Sequence, residues 1–158
     1  MANLNRRSWT AAAFLLVACS VESATAAEPP ADLCSLLPAA VVSKTLGQTY
    51  DSPLKTVAPR PYANTAEGMD CTFRSKSGNL LFRVYVDPLL AAAAELFARW
   101  KSFFERGSAP VAGIGDEAYL NAQHGLHVRK GQVRFFISAK AASDKQLRDL
   151  ASGVGGQL

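Results

Sequence analysis

Apolar positions follow a helical spacing at the start of the folded region. Leu33, Cys34, Leu36 and Leu37 come directly after Asp32, a residue type that caps helices. Val41, Val42 and Leu46 then lead to Gly47, which suits a helix end, and Pro38 fits the first turn because its missing N–H is not needed there. Residues 48–68 carry Pro53, Pro59 and Pro61 without a sustained period. They predict a long loop holding one short extended piece at Lys55–Ala58. From Asp70 the period becomes two: a strand at Cys71–Arg74, a turn over Lys76–Asn79 and a strand at Leu80–Val86. In the second strand Leu80, Phe82, Val84 and Val86 share one face, opposite Leu81, Arg83 and Tyr85.

Asp87-Pro88 predicts the start of the longest helix, with Asp87 as its cap. Leu89, Ala93, Leu96, Phe97, Trp100, Phe103 and Phe104 recur at spacings of three and four, and Gly107 closes the segment. Glu95–Arg99 and Lys101–Glu105 read as i,i+4 pairs on its wet side. Strands follow at Ala118–Asn121, Leu126–Arg129 and Gln132–Ala139, the last two forming a hairpin about Lys130-Gly131. A closing helix begins near Ser143 and places Leu147, Leu150, Ala151 and Val154 on one face. The order αββαβββα predicts a single α+β domain over residues 32–158: an antiparallel sheet of about five strands with helices packed on one side.

The N-terminal residues carry an address. Arg6 and Arg7 precede the uncharged run Trp9–Ala18, which is too short to span a bilayer and fits a secretory leader. Leu16-Val17-Ala18-Cys19 has the form of a bacterial lipobox, which predicts a leader over residues 1–18 and acylation of Cys19. The small residues Ala24, Thr25, Ala26 and Ala27 offer an alternative cut, removing residues 1–26 as an ordinary signal peptide. Residues 19–31 are small, polar and proline-ended, as in a flexible tether. Either cut leaves Cys34 and Cys71, out of three cysteines, as an even pair suited to a disulfide. Loss of Arg6 and Arg7 takes the 17 basic residues to 15 against 13 acidic ones, so the formal charge of +4 is partly an export signal.

Chemistry-bearing residues are sparse. His124 and His127 lie around a hairpin mouth, His124 in the turn and His127 facing outward, with no third ligand in sequence reach; no metal or other cofactor is expected. Asp116 and Glu117 are adjacent, so on a strand they point to opposite faces rather than forming an acid–base pair, and Gly113 and Gly115 supply the backbone angles of a strand entry. A small hydrolase using Asp116, Glu117 or His127 is the weakest reading. Arg129, Lys130 and Arg134 predict a solvated basic hairpin tip able to contact an anionic lipid or envelope glycan, with no role in nucleic-acid binding. Phe97, Trp100 and Phe104 make one end of the long helix aromatic, as core or as the wall of an apolar-ligand groove.

Several stretches together carry a resemblance: DLCSLL from Asp32, LG at Leu46, CTF at Cys71, GIGDEAY from Gly113 and VRKG from Val128. In this combination the chain resembles a family of small bacterial envelope lipoproteins of unknown function, over residues 32–158. The resemblance implies a disulfide-linked α/β sandwich of PsbP-like outline, exported and often lipid-anchored, with no catalytic residues to carry over. The function expected is a non-enzymatic binding or accessory module for an envelope protein or a small apolar or envelope ligand. It is held in the cell envelope by acylated Cys19, at the outer membrane where one exists, or is released as a soluble periplasmic or secreted protein by the longer cut.

Overall fold

The computed structural model describes residues 29–60, 67–103 and 107–158. A 3-10 turn over Leu33–Leu36 opens the fold, and the Cys34 backbone N–H donates to Asp32 Oδ1 at 3.2 Å. Helix α1 (Ala39–Leu46) starts after Pro38 and stops where Gly47 turns left-handed at φ 70°, donating its N–H to the Ser43 carbonyl. Helix α2 spans Leu90–Phe103, and α3 spans Asp144–Gly155. The start of α3 is a reciprocal cap. Gln146 N–H donates to Ser143 Oγ at 3.3 Å and Ser143 N–H donates to Gln146 Oε1 at 2.9 Å, which satisfies two otherwise open helix donors.

Seven strands form one antiparallel sheet in the order β1-β2-β3-β7-β6-β5-β4. They are β1 (Leu54–Ala58), β2 (Gly68–Phe73), β3 (Leu80–Val86), β4 (Ala109–Pro110), β5 (Glu117–Leu120), β6 (Gly125–Lys130) and β7 (Val133–Ala139). The two strands beyond the expected five are the edges. Strand β1 is the short extended piece at Lys55–Ala58, here paired along its length with β2. It has no buried alternation to announce it, because all its residues but Ala58 are exposed. Strand β4 is only two residues long and contains a proline, which suits an edge.

Helices cover both faces of this sheet, which corrects the expectation of helices on one side. On the first face Phe73, Leu80, Phe82, Val84, Phe135 and Ile137 pack with Leu147, Leu150, Ala151 and Val154 of α3, Val42 of α1 and Leu36 and Leu37. The Cys34–Cys71 disulfide staples the N-terminal turn to β2 across 37 residues, with Cα atoms 5.7 Å apart and both cysteines buried. The second face belongs to α2. Its Phe97 meets Tyr119 edge-on at 5.3 Å between ring centroids, and Trp100 meets Tyr85 at 5.4 Å. Strand alternation says which side chains share a face; it does not say which face a helix will cover.

The leader, Cys19, residues 20–28 of the tether, Phe104 and Glu105 lie outside the described residues. Lys101, expected to pair with Glu105, has its ammonium 3.0 Å from Glu117 Oε1, while Glu95–Arg99 pairs as expected at 2.8 Å. Leu89 and Phe103 are exposed, so the buried stripe of α2 is narrower than its apolar pattern. No helix among the described residues is long and apolar enough to cross a membrane.

Candidate functional site

Beneath α2 the second sheet face holds a layer of polar and aromatic side chains. Cross-strand register sets it out: Tyr85 lies opposite Arg134, Phe136 opposite His127, and His127 opposite Tyr119. Arg134 is fully buried and forms a two-bonded ion pair with Asp87, its Nε and Nη2 donating to the two carboxylate oxygens; the Nη2–Oδ1 distance is 2.9 Å. The guanidinium carbon lies 4.8 Å from the Trp100 ring centroid and 5.1 Å from that of Tyr85, in cation–π range. Asp87 is therefore not the cap of α2, and Arg134 is not part of a solvated tip. Both corrections have one physical reason: Asp87 follows the end of β3, next to β7, where Arg134 meets it under the helix.

His127 is the centre of the aromatic stack. Its ring lies parallel to Tyr119 at 4.5 Å, is tilted against Phe136 at 4.5 Å and stands edge-on to Trp100 at 5.8 Å. It alternates away from Leu126 and Val128 as expected, but α2 turns that side into interior; only 4% of the residue is exposed. Asn121 fixes its hydrogen bonding. The Asn121 Oδ1 accepts from the N–H groups of Gln123 at 3.0 Å and Gly125 at 2.8 Å. Its Nδ2 therefore faces His127 Nε2, 3.1 Å away, and donates to it. Burial holds His127 neutral by pushing its pKa down to about 3, and burial also raises that of Tyr119. Tyr119 Oη and Arg134 Nη1 have no hydrogen-bond partner among the described residues.

The structure does not bring the other candidates together. His124 sits in the β5–β6 turn with φ 55°, exposed, its Nδ1 3.4 Å from Asp144 Oδ1. No group of three or more potential metal ligands occurs among the described residues. Asp116 accepts from Arg129 Nη1 at 3.0 Å and from the Gly131 N–H at 2.7 Å, with Lys130 Nζ 3.7 Å away. One carboxylate thus takes up both cations of the hairpin tip. Glu117 turns the other way, to Lys101. Gly115 has φ 61°, and a Cβ there would lie 2.5 Å from the Arg129 carbonyl oxygen, so the strand entry needs glycine for both reasons. Phe97 is fully buried against Tyr119 and Trp100 lies over Arg134; both act as packing between α2 and the sheet.

An opening lies elsewhere. A cleft of about 490 Å³ runs between the end of α1 and the β2–β3 hairpin, lined by Gln48, Thr49, Asp51, Arg74, Ser75 and Lys76. Its walls are tied together. The Asp51 N–H donates to the Arg74 carbonyl at 3.0 Å, Gln48 Nε2 donates to Tyr50 Oη at 2.7 Å, and Ser77 Oγ donates to Gln48 Oε1. Sequence pattern did not mark these residues, because a loop and a turn that meet only in the fold carry no shared period. The buried layer did leave a signal: Tyr85 and Tyr119 sit on the strand face opposite the apolar one, where a solvated sheet would carry mostly polar residues. Comparison with protein-family models and with curated proteins finds no match for this chain.

Proposed function

We propose that this chain is an exported, non-enzymatic binding or accessory module of the cell envelope, tethered through acylated Cys19. The observation that carries the reading is the buried Cys34–Cys71 disulfide, a bond that persists in oxidising compartments outside the cytosol. It agrees with the basic, apolar and lipobox succession from Arg6 to Cys19. The disposition of the titratable groups supports a binding role over a catalytic one. His127 is sealed and neutral, and Asp116 and Glu117 are each held by a different cation. The small residues at Ala24–Ala27 favour a second form of the same module, cut there and released as a soluble periplasmic or secreted protein.

Peptide mapping without reduction, on protein isolated from cells, tests the compartment. A cross-linked peptide joining Cys34 to Cys71 is the expected result. Free thiols at both positions would remove the export reading.

A further inference from the structure

We infer that the cleft between α1 and the β2–β3 hairpin is a binding site for a sugar bearing one anionic group, a phosphate or a carboxylate. This deepens the reading of the chain as a binding module and rests on it. Arg60, Arg83, Arg99, Arg129 and Arg134 each pair with a carboxylate, as do Lys55, Lys101, Lys130 and Lys145. Lys44, Arg74, Lys76, Lys140 and Arg148 make no ion pair among the described residues, and of these five only Arg74 and Lys76 line the cleft, both with exposed side chains. Arg129, Lys130 and Arg134, to which sequence pattern assigns an anionic contact, meet the carboxylates of Asp116 and Asp87, while Arg74 and Lys76 stand on the hairpin at the other end of β3.

The rest of the lining selects among anions. Thr49 and Ser75 bring hydroxyls, Gln48 an amide and Asp51 a carboxylate, and none of the six lining residues is aromatic or aliphatic. Such a surface matches a molecule with one charged end for the guanidinium fork of Arg74 and the Lys76 ammonium, and hydroxyls for the remaining groups. Asp51 adds an acceptor for sugar hydroxyls and repels polyanions. The volume is of the order that small-molecule sites occupy. The cleft is also held in shape before a ligand arrives. The Asp51–Arg74 backbone bond and the Gln48–Ser77 bridge join its two walls, and the Cys34–Cys71 staple anchors β2 three residues before Arg74. Walls fixed in advance reduce the ordering cost of binding.

Titration calorimetry on the full oxidised chain tests the assignment, with glucose 6-phosphate, glucuronate, glucose and inorganic phosphate as probes at low salt. The expected result is binding of glucose 6-phosphate or glucuronate at least about tenfold tighter than glucose and inorganic phosphate, the preferred one identifying the anionic group. Arg74→Ala and Lys76→Ala, both at exposed positions, are each expected to weaken that binding about tenfold with the melting temperature unchanged. Amide resonances of residues 48–51 and 74–76 should move on titration. Absence of binding by both anionic sugars, equal binding of inorganic phosphate, or full affinity in both variants would overturn the assignment. Each of those results leaves the disulfide map, and with it the export reading, standing.

Discussion

The carboxylate of Asp87 and the guanidinium of Arg134 face each other with both side chains fully withdrawn from solvent. Asp87 directly follows β3 and Arg134 lies in β7, so the pair fixes the exit from the sheet into α2 against its neighbouring strand. The Trp100 and Tyr85 rings complete the enclosure of the guanidinium. A buried pair of this kind is a constraint on geometry more than a source of net stability, because desolvation offsets much of the attraction.

Removing one partner strands a charge in the interior. Asp87→Leu and Arg134→Met are each expected to lower unfolding free energy by about 3–5 kcal/mol in urea denaturation, and their combination to recover much of that loss. Additive losses in the double variant would show that the two side chains do not act as a pair.

His127 makes stability depend on pH. Burial depresses its pKa from 6.5 to about 3 in the folded chain. Between these values the unfolded chain binds a proton that the folded chain does not, so its contribution to stability is complete above 6.5 and falls as pH drops. Urea denaturation should show a loss of about 2 kcal/mol from this residue between pH 7 and pH 5. In His127→Phe that slope should flatten, whatever the variant's stability at pH 7. Equal slopes in the two proteins would mean that the imidazole is not sealed.

The Cys34–Cys71 bond restrains the unfolded chain across 37 residues. Reduction, or replacement of both cysteines by alanine, should lower stability by about 4 kcal/mol on the loop-entropy account, measured by thermal or urea unfolding. A loss below about 1 kcal/mol would place the staple outside the fold's main constraints.

Which parts were legible depends on how local their causes are. The Asp32 cap, the Gly47 stop and the α3 stripe from Leu147 to Val154 each rest on residues within a few positions of one another, and each stands as expected. The β2–β3 hairpin and the β6–β7 hairpin were equally readable from alternation and turn residues. The side of the sheet chosen by α2 was not, because no local pattern records it. That one choice moved His127 and Arg134 from solvent to interior and recast Asp87 from helix cap to ion-pair partner. The cleft was hidden for a related reason: Gln48 and Arg74 are neighbours only through the pairing of a loop with a hairpin.

The claim that the module is tethered to the envelope stands or falls on Cys19. Cells expressing the full chain can be fed an alkyne fatty acid and the protein examined for label. The account predicts label on the native chain and none on Cys19→Ser. An unlabelled native chain, or label that survives the substitution, would contradict it.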